Sequence, residues 1–117
     1  MSIDNVLASV AVNDVKAAAT WYGQLLGCAG ETPMPQLAEW RFPHGDCLQV
    51  YELPKRAGEG SFTLAVSDIE AEILKLVAMG VDVTCRTIDS RVKTVMITDP
   101  DGNHIALAEV TDPALAS

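Results

Sequence analysis

Three cysteines and two histidines are the side chains of this 117-residue chain best suited to holding a soft metal or attacking an electrophile. Cys28, Cys47 and Cys85 form no Cys-x-x-Cys pair, and their odd number fits neither a disulfide framework nor a zinc knuckle. A reducing, cytoplasmic setting is expected. His104 could act as a general acid or base only if a carboxylate oriented it, and none stands at the right spacing. The simpler role is a rim residue bonding the backbone of a hairpin. Cys47 could pair with His104 as thiol and imidazole, although a buried cysteine is ordinarily a small hydrophobe. His44 falls in an exposed turn. No catalytic residue is assigned.

Charge narrows the classes further. Sixteen acidic residues against eight basic ones give a net charge of −8, which argues against nucleic acid because phosphate binding needs clustered Lys and Arg. The hydrophobic content of 49% excludes a disordered chain, and only six residues are aromatic. No apolar run approaches the roughly 20 residues of a membrane span. The N-terminal stretch MSIDNVLASVAVNDV lacks a basic segment and carries Asp4 and Asp14, so it does not read as a secretory signal. One domain over 1–117 is expected, with no membrane partner.

The elements that must position these groups can be read from periodicity. A strand runs over Val6–Val12, and Asn13-Asp14 opens a helix from Val15 to Leu26 that Gly27 ends. Pro33 and Pro35 mark a loop. Strands follow near Leu37–Phe42 and Cys47–Leu53 around the turn Pro43-His44-Gly45-Asp46. Lys55–Gly60 is a polar connector. The order then restarts with a strand at Ser61–Val66, a helix at Ile69–Met79, and strands near Val81–Ile88, Val92–Thr98 and His104–Val110. The tail Thr111–Ser117 reads as frayed.

The restart is a repeat. Val12-Asn13-Asp14-Val15 returns as Val66-Ser67-Asp68-Ile69, 54 positions on; Leu26-Gly27 returns as Met79-Gly80 at 53; and Gly45-Asp46-Cys47-Leu48 returns as Gly102-Asn103-His104-Ile105 at 57. Three landmarks in order at nearly constant offset indicate a duplicated βαβββ unit, with modules at about 4–53 and 61–110.

Trp21-Tyr22-Gly23-Gln24-Leu25-Leu26-Gly27 resembles the helix signature of the glyoxalase / bleomycin-resistance / extradiol dioxygenase superfamily, also called the vicinal oxygen chelate fold. Thr98-Asp99-Pro100-Asp101-Gly102-Asn103-His104-Ile105-Ala106-Leu107 is similar to that superfamily's "DPDGNxIEL" hairpin. The likeness extends from about Val6 to Val110. It implies an α+β fold in which two tandem βαβββ modules form a concave mixed sheet with helices outside. It also implies a homodimer whose cavity is shared between subunits.

Metal-dependent members of that superfamily carry His, Glu or Gln at four strand positions, which fall here on Leu7, Gln49, Ser61 and Ala106. A divalent metal needs three or four converging N, O or S donors, and of these residues only Gln49 keeps the pattern. The expectation is therefore no metal and no cofactor. Strand alternation puts Cys47 and Tyr51 beside Gln49, and His104 beside Ala106. A hairpin closing at 43–46 would pair Trp40 with Gln49 and Phe42 with Cys47, bringing both aromatics to the same face. Ser9, Ala11, Ser61 and Thr63 complete the wall. Glu39, Arg41 and Glu52 read as a solvated or interface charge set.

The function that follows is a metal-free small-molecule-binding protein, sequestering an aromatic or cationic ligand or antibiotic in a dimer cavity. A metal-dependent lyase, isomerase or dioxygenase of the same superfamily, similar to lactoylglutathione lyase, is the alternative. A structural or regulatory dimer with a vestigial cavity is the third.

Overall fold

Asp14 and Asp68 begin the two helices as their composition suggests. The Asp14 carboxylate accepts from the N–H groups of Lys16 at 2.9 Å and Ala17 at 3.4 Å, and Asp68 accepts from that of Ala71 at 3.2 Å. Each helix has a second cap from a distant strand. Glu52 Oε1 accepts from Val15 N–H at 3.1 Å, and Glu109 Oε1 accepts from Ile69 N–H at 2.9 Å. A carboxylate at a helix N-terminus also meets the positive end of the helix dipole. Glu52 is thus part of the fold rather than of a solvated charge set. Its counterpart Glu109 sits 57 positions on, the same offset as the hairpin landmarks.

The computed structural model describes residues 2–3, 6–89 and 91–110. The tail Thr111–Ser117 lies outside the described residues. In chain order the elements are β1 (Leu7–Val12), α1 (Val15–Leu26), β2 (Glu31–Met34), β3 (Leu37–Arg41) and β4 (Cys47–Glu52). A 3-10 turn at Pro54–Arg56 leads to β5 (Ser61–Ala65), α2 (Ile69–Ala78), β6 (Arg86–Ile88), β7 (Val92–Thr98) and β8 (His104–Val110). The βαβββ order therefore occurs twice, in an α+β fold. The strands form two four-stranded mixed sheets, β1-β4-β3-β2 and β5-β8-β7-β6, rather than one hydrogen-bonded sheet. β1 runs parallel to β4, β5 runs parallel to β8, and the other pairs are antiparallel.

The chain divides into two compact units. Of the described residues, the first holds those up to Gly60 together with Pro100–Asn103, and the second holds those from Ser61 to Asp99 and from His104 to Val110. In the first, α1 buries Val15, Ala18, Tyr22 and Leu25, and the sheet contributes Val10, Val12, Ala38, Trp40, Leu48 and Val50 to the core. In the second, α2 buries Ile69, Ile73 and Leu76, with Val95, Ile97, Ile105 and Leu107 from the sheet. Apolar burial on this scale is the main stabilising term in each unit.

The segment read as a Pro-marked loop contains β2. All of its residues are exposed and it forms the sheet edge, where Pro33 removes no needed ladder bond. Conversely, β6 is confined to Arg86–Ile88, shorter than the strand expected over Val81–Ile88.

The larger correction concerns register. Trp40 pairs with Leu48, Glu39 with Gln49, and Arg41 with Cys47. Phe42 N–H donates to Asp46 C=O at 2.9 Å, and Gly45 N–H to Phe42 C=O at 3.1 Å. The loop is therefore Pro43-His44-Gly45, a turn with Pro at its second position followed by a left-handed Gly45 at φ 95°. Its repeat, Pro100-Asp101-Gly102, has Gly102 at φ 98° and Thr98 paired with His104. A register shifted by one residue turns every side chain of a strand to the other face. Trp40 consequently lies beneath α1 with Leu48, not beside Gln49. Half-buried Phe42 continues Trp40's side in the same register.

The hairpin turn that carries the superfamily resemblance works in the first unit as a clasp. Asn103 is fully buried; its Nδ2 donates to Ala11 C=O at 2.9 Å and its Oδ1 accepts from Gly60 N–H at 2.8 Å. Asn13 Nδ2 donates to Asp101 Oδ1 at 2.6 Å. The turn thereby holds both the end of β1 and the end of the connector.

Candidate functional site

The helices cover one side of each sheet and leave the other open, so alternation assigns the remaining residues. On the first sheet Leu7, Ser9 and Ala11 lie beside Cys47, Gln49 and Tyr51 in the β1–β4 ladder. The β3–β4 ladder adds Leu37, Glu39 and Arg41 to that face. Ser9, Cys47, Gln49 and Tyr51 are brought together as expected. Trp40 and Phe42 are not among them. Glu39 takes the position expected for Trp40.

The polar groups of this face are linked. Ser9 Oγ donates to Gln49 Oε1 at 3.3 Å, and Gln49 Nε2 donates to Glu39 Oε1 at 3.2 Å. Cys47 Sγ donates to the same Glu39 oxygen at 3.6 Å. Glu39 Oε2 faces the Arg41 guanidinium at 3.8 Å; the Glu39 side chain is 11% exposed and that of Arg41 70%. Glu31 lies opposite Glu39 in the β2–β3 pairing. Half-buried Tyr51 shares this face, two residues on from Gln49 along β4. The missed residue is Glu39, and the signal that would have found it is the Pro-x-Gly loop: Pro at the second and Gly at the fourth turn position fix the hairpin register.

The network holds Cys47 as a thiol. Burial, then the bond to Glu39 and its nearby negative charge, push the Cys47 thiol above its ordinary value. A thiol that keeps its proton is a poor nucleophile. At pH 8, iodoacetamide is expected to alkylate exposed Cys28 and Cys85 at least about tenfold faster than Cys47, as read by peptide mass spectrometry. Equal rates would contradict this assignment. The sign for stability follows from linkage. The native thiol binds its proton more tightly than the unfolded one, so this contribution is complete below the unfolded value and fades as pH rises through the folded one.

On the second sheet Ser61 pairs with His104 and Thr63 with Ala106 across β5–β8, so these four expected residues share a face. β7 adds Thr98 opposite His104 and Met96 opposite Ala106. This face is made of hydroxyl, methyl and thioether groups around one exposed imidazole. Two shallow grooves of about 470 and 530 Å³ lie alongside α1, lined among others by Ala19, Gly23, Lys16 and Met34.

The four positions that the superfamily resemblance assigns to metal all lie on open faces, Leu7 and Gln49 on the first sheet and Ser61 and Ala106 on the second. Their chemistry does not fit a divalent metal. Leu7 and Ala106 have no donor atom, Ser61 has a neutral hydroxyl, and Gln49 is engaged with Ser9 and Glu39. Among the described residues no three His, Cys, Asp or Glu side chains converge. Nor is any helix among them long and apolar enough to cross a membrane.

Comparison with known proteins agrees with this architecture. Residues 7–108 match the model of the glyoxalase-like domain family. The chain is similar to a glyoxalase / bleomycin resistance protein from Catenulispora acidiphila DSM 44928, with 36% identity and a TM-score of 0.81 over 91% of this chain and 97% of that one. It is also similar to TnmS3, an antibiotic binding protein from Streptomyces sp. CB03234, with 26% identity and a TM-score of 0.79 over 95% and 99% of the two chains. Lactoylglutathione lyase from Agrobacterium tumefaciens shares the fold, with 19% identity and a TM-score of 0.76 over 93% and 94%. No curated protein matches the chain. With two βαβββ modules, the repeated hairpin and a family match across nearly its whole length, the chain belongs to the glyoxalase-like domain family.

Proposed function

We propose that this chain is a small-molecule-binding protein that holds an aromatic or cationic ligand on the open face of its first sheet, without a metal, in a homodimer. The observation that carries this reading is the interlinked set Ser9, Glu39, Cys47 and Gln49 beside Tyr51. Such a face supplies fixed donors and acceptors and an aromatic wall, which is what recognition of a small organic molecule needs. It supplies no activated nucleophile, since the Cys47 thiol is held neutral. The antibiotic-binding role of TnmS3, at 26% identity, supports an antibiotic as the ligand. Half-exposed Leu7 is an apolar margin that a second copy of the chain would cover.

Isothermal titration calorimetry against aromatic cations and glycopeptide antibiotics tests the reading. Tryptophan fluorescence is a poor readout, because Trp40 is buried on the helix side. At least one member of the panel is expected to bind with 1:1 stoichiometry per chain to protein that elemental analysis shows to be free of transition metal. Absence of binding throughout would leave a structural or regulatory dimer as the reading. A stoichiometric metal restoring lyase or dioxygenase activity would overturn the proposal.

A further inference from the structure

The least balanced group on the open face is the Glu39 carboxylate. Its side chain is 11% exposed, yet the donors to Oε1 among the described residues are neutral, the Gln49 amide at 3.2 Å and the Cys47 thiol at 3.6 Å. A carboxylate this far removed from water requires a compensating charge. Among the described residues its one cationic neighbour is Arg41, at 3.8 Å from Oε2, near the outer limit of an ion pair. The Arg41 side chain is 70% exposed, so most of its hydration is intact. A loose pair with one partner in solvent contributes little. Glu31, directly across the β2–β3 pairing, adds a like charge where an opposite one would stabilise.

Resting on the binding reading above, we propose that Glu39 is the charge-selecting residue of the site and Arg41 its resident, displaceable counter-ion. The ligand class is an aromatic body bearing an amidinium, guanidinium or protonated amine. That cation takes the place of Arg41 at Oε2 and donates to it, while the aromatic body lies against Tyr51. Arg41, on an exposed side chain, moves into solvent without any backbone change. Gln49 and Ser9 keep the carboxylate oriented, since their bonds are to Oε1 and to one another.

Benzamidine and its neutral counterpart benzamide, of the same shape, separate charge selection from binding. Amide chemical-shift titration of the full chain is expected to place both at Ser9, Gln49 and Tyr51, with benzamidine binding at least about tenfold more tightly, the ratio of one well-formed charge-assisted bond. In Glu39→Gln the preference should vanish through loss of benzamidine affinity alone. In Arg41→Gln benzamidine should bind a few-fold more tightly, because its internal competitor is gone, and benzamide should be unchanged. Equal affinity of the two compounds for the unmodified chain, or a preference that survives in Glu39→Gln, overturns charge selection and leaves the binding face intact. Weaker benzamidine binding in Arg41→Gln overturns the displacement step. Shifts of neither compound at this face overturn both this proposal and the reading on which it rests.

Discussion

Asn103→Ala is expected to lower folding stability by about 2–4 kcal/mol, because it takes the side-chain partner from one buried and one partly buried backbone group, at about 1–3 kcal/mol each. Those groups are Ala11 C=O and Gly60 N–H, which the fully buried Asn103 amide bridges at 2.9 and 2.8 Å. Chemical denaturation with the slope checked for constancy is the measurement. Asn103→Asp sharpens the test. A carboxylate can accept from Gly60 N–H but faces Ala11 C=O with no proton to give. The loss at neutral pH should match or exceed that of alanine, and stability should recover as pH falls and the carboxyl is protonated. Asp46 is the repeat counterpart of Asn103 and is exposed. Asp46→Asn is therefore expected to change stability by no more than about 0.5 kcal/mol. A strong effect at Asp46, or none at Asn103, would refute the clasp.

Removing the Trp40 side chain is expected to cost about 3–5 kcal/mol, the range for truncating a buried aromatic. Trp40 is 3% exposed; its Nε1 donates to Cys28 C=O at 2.9 Å, and its ring tilts against Tyr22 with centroids 6.1 Å apart. The fit is tight on the far side as well: a Cβ added at Gly30 would stand 2.7 Å from the indole. For a domain of this size the loss amounts to a drop of roughly 10–20 °C in thermal midpoint. Trp40→Phe should lose less, since it keeps most of the apolar volume and forfeits the hydrogen bond. Neither variant should change ligand affinity under conditions where it remains folded. A specific loss of affinity in folded Trp40→Phe would return this ring to the binding face.

Asp14 and Asp68, the paired hairpin glycines and the offsets between them announced two equivalent modules, because caps and tight turns depend on one residue's own backbone and side chain. The faces of β4 and β8 were equally legible, since Leu48, Val50, Ile105 and Leu107 alternate with smaller or polar residues and the pleat does the rest. The partner strand was harder. Trp40 is as hydrophobic as any residue in β3, and its type suits a ligand wall and a core equally well. Only the Pro43-His44-Gly45 loop distinguishes the two, and a slip of one residue there exchanges Trp40 for Glu39 on the open face. The candidate site changed character with that exchange, from a pair of aromatic anchors to a carboxylate with one loose counter-ion.

Asn103 and Glu52 show the other boundary. Their residue types allow a cap, a turn or a solvated surface, and their sequence neighbours do not choose among these. The choice comes from groups far along the chain: Ala11 is 92 positions from Asn103, and Val15 is 37 from Glu52. The same holds for Cys47 and Glu39, whose side chains meet across the β3–β4 ladder. Cys47 was a possible nucleophile by type alone, and its bond to Glu39 makes it a donor. Local backbone preference determined the duplicated modules, their helices and their turns in the sequence itself. Tertiary structure decided which side chains share a face and which charges meet, because those depend on strand register and on contacts between residues that no local preference links.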